Sequence, residues 1–576
     1  MPPQQGTPEA LLAAIAQSGN EMAQGWMRVM AGAADSAGIP PWLSELQRGA
    51  AGMAAAQAYA QKQLQLWTAL VSGGSEALAQ AEPGDRRFSG KAWRENSYYD
   101  YLSQSYLLAS RYVEELVEHA ALEPGAKERA RFAARQWIDS MSPANFAATN
   151  PEALAQAIRT QGESLTRGLA NLLQDAAKGR ISQTDEAAFE VGRNVAVTPG
   201  EVIYENELIQ LIQYAATTAE VAARPLVMIP PCINKFYILD LQPESSLVAH
   251  AIASGQSVFM VSWRNVGPEL GHLTWDDYLE KGVFAALRAA REIAQSDRVN
   301  ALGFCVGGTL LGAALAVLAE KNEDLVASAT FLATMHDFRD PGQIGLFIDE
   351  ASVAAREAAL GRGGILPGSE LAYVFSSLRA NDLVWPYVVN NYLMGGRPAA
   401  FDLLYWNSDS TSLPGPMYCY YLRNTYLENK LRTPGALTNC GVPVDLGKVR
   451  IPVFILATRE DHIVPWRSAY RSLALLGGSD KTFALGASGH VAGVVNPPAK
   501  NRRSYWQGET ESSLYPEDPD AWLDSAHEHR GSWWPKWTQW LSRHGGGRRK
   551  APLAAGDVQH RPIEPAPGRY VKQRTH

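Results

Sequence analysis

The sequence predicts an α/β protein, a parallel sheet covered by helices on both faces, standing behind a mostly helical N-terminal domain. Three observations predict it. From about residue 194, short and wholly apolar runs alternate with helical stretches, the pattern of a parallel sheet buried on both sides. One run, 298–304, passes through Gly303-Phe304-Cys305-Val306-Gly307-Gly308 straight into the helical stretch TLLGAALAVLAEK. Before residue 190 the chain is Ala- and Gln-rich and lacks strand-like runs.

The elements follow in chain order. Residues 1–193 form the helical domain: 55–70 and 98–121 space aliphatic and aromatic side chains three and four apart, with breaks at Gly73-Gly74, Pro83-Gly84 and Pro124-Gly125. Runs 194–197 and 202–203, parted by Thr198-Pro199-Gly200-Glu201, predict a hairpin, and 208–214 adds a strand. The first part of the sheet domain (194–337) then supplies strands at 225–229, 257–263, 298–304 and 326–333. The rhythm stops at 338–440, an aromatic stretch too long for a loop, which reads as an inserted cap or lid domain. Strands 453–457 and 482–485 resume the sheet in 441–545. Near its end Trp533, Trp534, Trp537 and Trp540 share a helical packing face, and His527-Glu528-His529 before them, read as helical, point apart and make no metal site. Residues 546–576 read as a mobile, solvated basic tail: 541–576 carry eight Lys/Arg against Asp557 and Glu564, a charge of +6, so the rest of the chain is −13.

Composition narrows the function. With 576 residues, 46% hydrophobic and 19% charged, the chain is an ordinary globular one. A net charge of −7 excludes bulk nucleic-acid binding. Four cysteines with no CxxC pair make no disulfide framework and fit a reducing cytoplasm. The N-terminus lacks the pattern of a secretory signal, and 301–319, uncharged for 19 residues, reads as buried strand, turn and helix rather than a membrane span.

Gly-x-Cys-x-Gly between a strand and a helix is the nucleophile elbow of the α/β-hydrolase fold, with Cys305 in the serine position. The turn is sharp, so its flanks must be nearly bare, and the helix start favours both a thiolate and a developing oxyanion. In this fold an acid and then a histidine follow the nucleophile. Asp461, just past strand 453–457, and His490, on a small-residue loop past strand 482–485, take those places. Asp337 and Glu460 are rival acids, and His336 a rival base. The oxyanion donors are the Val306 backbone and, because Pro230 and Pro231 have no N–H, the Ile233 backbone. His462 and Asn234 are supporting candidates, and Cys232 reads as a packing residue. No P-loop, dinucleotide fingerprint or metal-ligand cluster occurs, so neither cofactor nor metal is expected. These motifs permit a thioesterase, a dienelactone-hydrolase-like enzyme or an acyltransferase. Cysteine tilts the choice to transfer, because an acyl-cysteine is itself a thioester, close in energy to its donor.

The segments PPCINKFYILDLQPESSLV (230–248), VFMVSWRNV (258–266), GFCVGGTLL (303–311), NDLVWPYVVNNYL (381–393), REDHIVPW (459–466), LGASGHVAGVVNPPAKNRRSYW (485–506) and GSWWPKWTQWL (531–541) resemble class I polyhydroxyalkanoate synthases over about residues 85–576. The resemblance implies an acyltransferase that polymerises (R)-3-hydroxyacyl-CoA, chiefly the 3-hydroxybutyryl thioester, with release of CoA. It puts the family's catalytic cysteine, aspartate and histidine on Cys305, Asp461 and His490. It also implies a homodimer, soluble in the cytoplasm and then bound to polymer granules, with the N-terminal helices as the granule- or partner-contacting part. Met417 and Tyr420 stand where relatives often carry Trp, which bears on chain-length preference. The alternative on the same fold is an acyl-CoA thioesterase or a polyester depolymerase. A granule-coating protein with an inactive hydrolase fold is the non-enzymatic alternative.

Overall fold

The computed structural model describes residues 50–72, 77–508 and 515–574. It falls into two compact units: one holds the described residues up to Thr184 together with Phe375–Ala399, the other runs from Asp185 to Val374 and from Ala400 onward. The expected helical character of residues 1–49 and the break at Gly73-Gly74 lie outside the described residues.

The first unit is helical: α1 (Ala50–Ser72), α2 (Ser97–His119), α3 (Pro124–Ser140), α4 (Pro151–Arg159) and α5 (Glu163–Lys178). Local chemistry sets the starts. Asn96 caps α2 by accepting from Tyr98 N, Asn150 caps α4 by accepting from Glu152 N and Ala153 N, and Pro124 opens α3, where its missing N–H costs nothing. The core is aromatic. Tyr59 stacks on Tyr112 at 4.7 Å, and buried Tyr106 donates to the Ile138 carbonyl at 2.9 Å. Residues 375–399, the middle of the 338–440 insertion, pack here. Gly168 of α5 lies so close to the Tyr392 carbonyl that a Cβ would sit 1.9 Å from its oxygen, and the Tyr392 hydroxyl donates to Asp175 at 2.8 Å.

The second unit is built on one eleven-stranded sheet. Its strands are β1 (Gly200–Glu205), β2 (Ile209–Tyr214), β3 (Leu226–Ile229), β4 (Val258–Trp263), β5 (Val299–Phe304), β6 (Val326–Leu332), β7 (Val453–Thr458), β8 (Lys481–Gly486), β9 (Ser504–Gln507), β10 (His527–Arg530) and β11 (Glu564–Pro565). They lie in the order β10-β9-β8-β7-β6-β5-β3-β4-β2-β1-β11. The six central strands, β3 through β8, are mutually parallel, and β3 to β7 are buried at every residue. Both margins are antiparallel. Helices α6 (Val306–Glu320) and α7 (Trp534–Arg543) pack on it, and all four tryptophans of 533–540 are at most 1% exposed. Among the described residues no helix is long and apolar enough to cross a membrane, and 301–319 forms β5, the elbow and α6.

Three expectations are corrected. The hairpin lies at β1–β2, not at 194–203, because the Asn206 side chain accepts from Leu208 N and Ile209 N and makes the turn there. His527-Glu528-His529 lie on an exposed strand, not a helix, so His527 and His529 share one face of it. The basic tail is packed rather than loose. Arg548–Lys550 pairs with Glu220–Ala222, β11 pairs with β1, and Tyr570 and Val571 are buried. Two of its arginines are engaged: Arg569 pairs with Glu205 and Glu564, and Arg548 donates to the Gly255 and Glu220 carbonyls.

Candidate active site

Cys305 stands between β5 and α6 with φ 53° and ψ −126°, a backbone state that costs about 1–3 kcal/mol in a non-glycine residue. The surroundings hold it there. Its N–H donates to the Leu332 carbonyl of β6 at 2.9 Å, and its carbonyl accepts from Gly308 N at 2.9 Å. The bare flanks are required by contact. A Cβ on Gly307 would lie 2.4 Å from the Ile229 carbonyl oxygen, and one on Gly308 2.0 Å from Thr334 Oγ1. The turn therefore presses the start of α6 against the end of β3, and Val306 N–H opens a 15-residue helix at its positive end.

Asp461 and His490 meet beyond the ends of β7 and β8. His490 Nδ1 lies 2.7 Å from Asp461 Oδ2, and both residues are buried. The carboxylate is fully engaged: Oδ1 accepts from Ile463 N (2.9 Å) and Val464 N (2.8 Å), and Oδ2 also accepts from Thr458 Oγ1 (3.0 Å). The two loops are tied by Glu460 N donating to the Ser488 carbonyl at 3.0 Å. Burial disfavours an imidazolium, but the charges of Asp461 and Cys305, with hydrogen bonds to both, outweigh it and raise His490 well above its ordinary value. Phe304 stacks on the imidazole at 5.5 Å, and Trp533 and Trp534 donate to the Gly493 and Val494 carbonyls of the helix that His490 begins. Cys305, His490 and Asp461 are thus brought together.

The rivals have other occupations. His336 is wholly buried behind α6, 3.3 Å from the Gly308 carbonyl, and burial pushes it down to about 4. Asp337 pairs with Arg339 at 2.8 Å and accepts from Asn429 at 2.9 Å. Glu460 is exposed. The Ile233 carbonyl accepts from Thr411 N at 2.7 Å, and Asn234 bridges to Ser410. Cys232 is buried, and burial first and the Cys305 charge second push its thiol up. The His462 carbonyl accepts from Gln343 N at 3.2 Å. Met417 is fully buried, and Tyr420 stacks on Trp275 at 5.4 Å.

Two site residues were not legible in the sequence. Tyr421 and Tyr426 hydrogen-bond to one another and lie near enough to Cys305 for its charge, after burial, to raise both phenols. They sit in an aromatic-rich segment, where nothing distinguishes them from packing residues.

Relatives supply the family. Residues 84–251 match the model of the poly-beta-hydroxybutyrate polymerase (PhaC) N-terminus, and 225–497 that of the alpha/beta hydrolase fold. The poly(3-hydroxyalkanoate) polymerase subunit PhaC of Cupriavidus necator is 55% identical over 88% of this chain and 86% of its own. The chain belongs to the class I polyhydroxyalkanoate synthases. As a member of that family it is an acyltransferase on an α/β-hydrolase fold. Other relatives of the synthase are the PhaC subunit of Rhizobium meliloti, 41% identical over 87% of this chain and 81% of its own, and poly(3-hydroxyalkanoate) polymerase 2 of Ectopseudomonas oleovorans, 40% identical over 86% and 88%.

Proposed function

We propose that the synthase polymerises (R)-3-hydroxyacyl-CoA, chiefly the 3-hydroxybutyryl thioester, through an acyl-cysteine on Cys305. The observation that carries this reading is a strained, half-buried thiol coupled to a buried His490–Asp461 pair in a chain of this family. His490 takes the Cys305 proton as Sγ attacks the thioester carbonyl. The Val306 and Ile233 amides hold the oxyanion, and the CoA thiolate leaves with the proton from His490. The 3-hydroxyl of the next unit then gives its proton to His490 and attacks the acyl-cysteine, forming the ester and freeing the thiol. His490 is the base for this step, because Asp461 already accepts four hydrogen bonds from the protein. CoA is a product, and the scheme uses no bound cofactor or metal.

Arg502, Arg503 and Arg530 line a cavity of about 480 Å³ beside β9 and β10, and arginines suit the phosphates of a CoA thioester. The synthase is a homodimer that starts soluble in the cytoplasm and finishes on the polymer granule. On α1, Met53, Leu64, Trp67 and Val71 are exposed, an apolar stripe suited to a polyester surface. Deleting residues 1–85 is expected to weaken granule association, and unchanged association would remove that part of the reading.

The test incubates purified synthase with (R)-3-hydroxybutyryl-CoA and follows released thiol together with turbidity. CoA release with a chloroform-soluble pellet is expected. CoA release into clear solution, with free hydroxy acid, would make the enzyme a thioesterase.

A further inference from the structure

The loop that leaves β3 carries the Ile233 amide, and the protein fixes it from several sides. Trp263 Nε1 donates to the Pro230 carbonyl at 2.9 Å, Thr411 N to the Ile233 carbonyl at 2.7 Å, and Trp406 Nε1 to the Lys235 carbonyl at 2.7 Å. The remaining hold is unusual in its chemistry. Lys235 is 2% exposed, and its ammonium donates at 2.6 Å to the carbonyl of Gln573, just past the last turn of the described chain, Tyr570–Lys572. Lysine is almost never fully buried unless paired. Around it stand Asp409, Tyr237, Tyr405 and Arg574, with Glu186 beyond Tyr405. Asp409 is itself buried and accepts from the Tyr237 hydroxyl at 3.0 Å. Arg574 stacks over the Tyr405 ring at 4.8 Å and bonds its hydroxyl. Val571, three residues before Arg574, is buried in the same core as β3 and the elbow. A surface lysine would hold a loop as well, so a buried one points to a demand for fixed geometry rather than for solubility.

We propose that Lys235 is a positioning residue, whose buried ammonium ties the C-terminal turn to the Ile233 loop and so holds the oxyanion amide in register with Cys305. This rests on the reading of Ile233 as an oxyanion donor. The tie acts on acyl transfer and leaves the thiol–imidazole pair alone, because Lys235 touches neither Cys305 nor His490.

Full-length Lys235→Met keeps the apolar stem and removes the charge. CoA release from (R)-3-hydroxybutyryl-CoA is read beside alkylation of Cys305 by iodoacetamide, followed on the Cys305 peptide by mass spectrometry. Alkylation needs the thiol and His490 but no oxyanion donor. The expected result is a kcat for CoA release lowered about 10-fold or more, since losing one oxyanion donor outright costs ~10²–10³-fold, with KM little changed and alkylation at the wild-type rate. Unchanged kcat overturns the proposal, and so does a parallel fall of kcat and alkylation. Ile233→Pro separates the underlying reading: if it retains CoA release, the amide is not the donor. If it loses CoA release while Lys235→Met does not, only the tie is wrong. Should Lys235→Met not fold, Asp409→Asn keeps the Tyr237 bond and removes the charge that opposes desolvation of Lys235, which burial already lowers to about 8. Its kcat is expected to fall more steeply than wild type between pH 7 and 8.5, and an identical profile overturns the proposal.

Discussion

The loop after β6 and the loops after β7 and β8 each set a histidine and an aspartate at the C-terminal margin of the sheet, where this fold places its chemistry. After β6 the two are neighbours in sequence and part in space: His336 turns into the core behind α6, and Asp337 turns to Arg339 and Asn429. Past β7 and β8 they are 29 residues apart and meet at 2.7 Å. Burial acts on both histidines with opposite outcomes. His336 has the Gly308 carbonyl and the Phe331 ring beside it, so desolvation wins and it is neutral at pH 7. His490 faces a carboxylate and a thiol, and there the charges win. A strand end therefore offers a place, and the partner decides which way the histidine held there is shifted.

The comparison breaks most sharply at the thiol. Cys305→Ala is expected to lower polymer formation by about 10⁴-fold or more while leaving thermal unfolding unchanged, since the site's other members stay paired. Appreciable polymer from that variant would sink the scheme. Asp461→Asn comes next, at ~10²–10⁴-fold in kcat. Because the aspartate raises His490, its loss lowers the imidazole pKa, and the acid limb of kcat/KM moves to lower pH. A pH–rate profile on purified enzyme reads both.

Asp337→Asn tests the other rim. Burial opposes the Asp337 charge, but bonds from Arg339 and Asn429 hold its carboxyl below the ordinary range. A carboxyl lowered in the folded state stabilises above its unfolded value, near 4, and that contribution disappears as pH falls through the folded value. The variant is expected to lose about 1–3 kcal/mol at pH 7 by urea unfolding, to approach wild type at acid pH, and to keep its activity per folded molecule. The smallest effect is expected from Phe304→Leu, which removes the ring stacked on His490. A loss of a few-fold in kcat, about 0.5–1.5 kcal/mol, with unchanged folding separates imidazole orientation from charge.

The grouping of Cys305, Asp461 and His490 was legible because its signals are local. A strand, a Gly-x-Cys-x-Gly turn and a helix occupy adjacent residues, and the order of acid and histidine follows from strand order. The trio Cys305, Asp461 and His490 could thus be named before any contact was known. The rivals Asp337 and His336 could be listed but not dismissed, since that depended on Asn429 and on the depth of His336 behind α6. Tyr421 and Tyr426 were hidden for the complementary reason: their nearness to the thiol is set by the fold, and their sequence context is simply aromatic.

By itself the sequence determined the buried parallel sheet strands, the elbow and the tryptophan helix, because hydrophobic period and glycine placement act within a few residues. The tertiary structure decided the rest. It folded the basic C-terminal segment onto β1 and Glu220–Ala222 and sent residues 375–399 of the insertion to the helical unit. Each of these turns on a partner far away in the chain: Gln573 for Lys235, Tyr392 for Gly168, Glu205 for Arg569. Short-range patterning carries no record of such partners, since burial of a charge or a backbone group is favourable only once its distant counterpart has arrived.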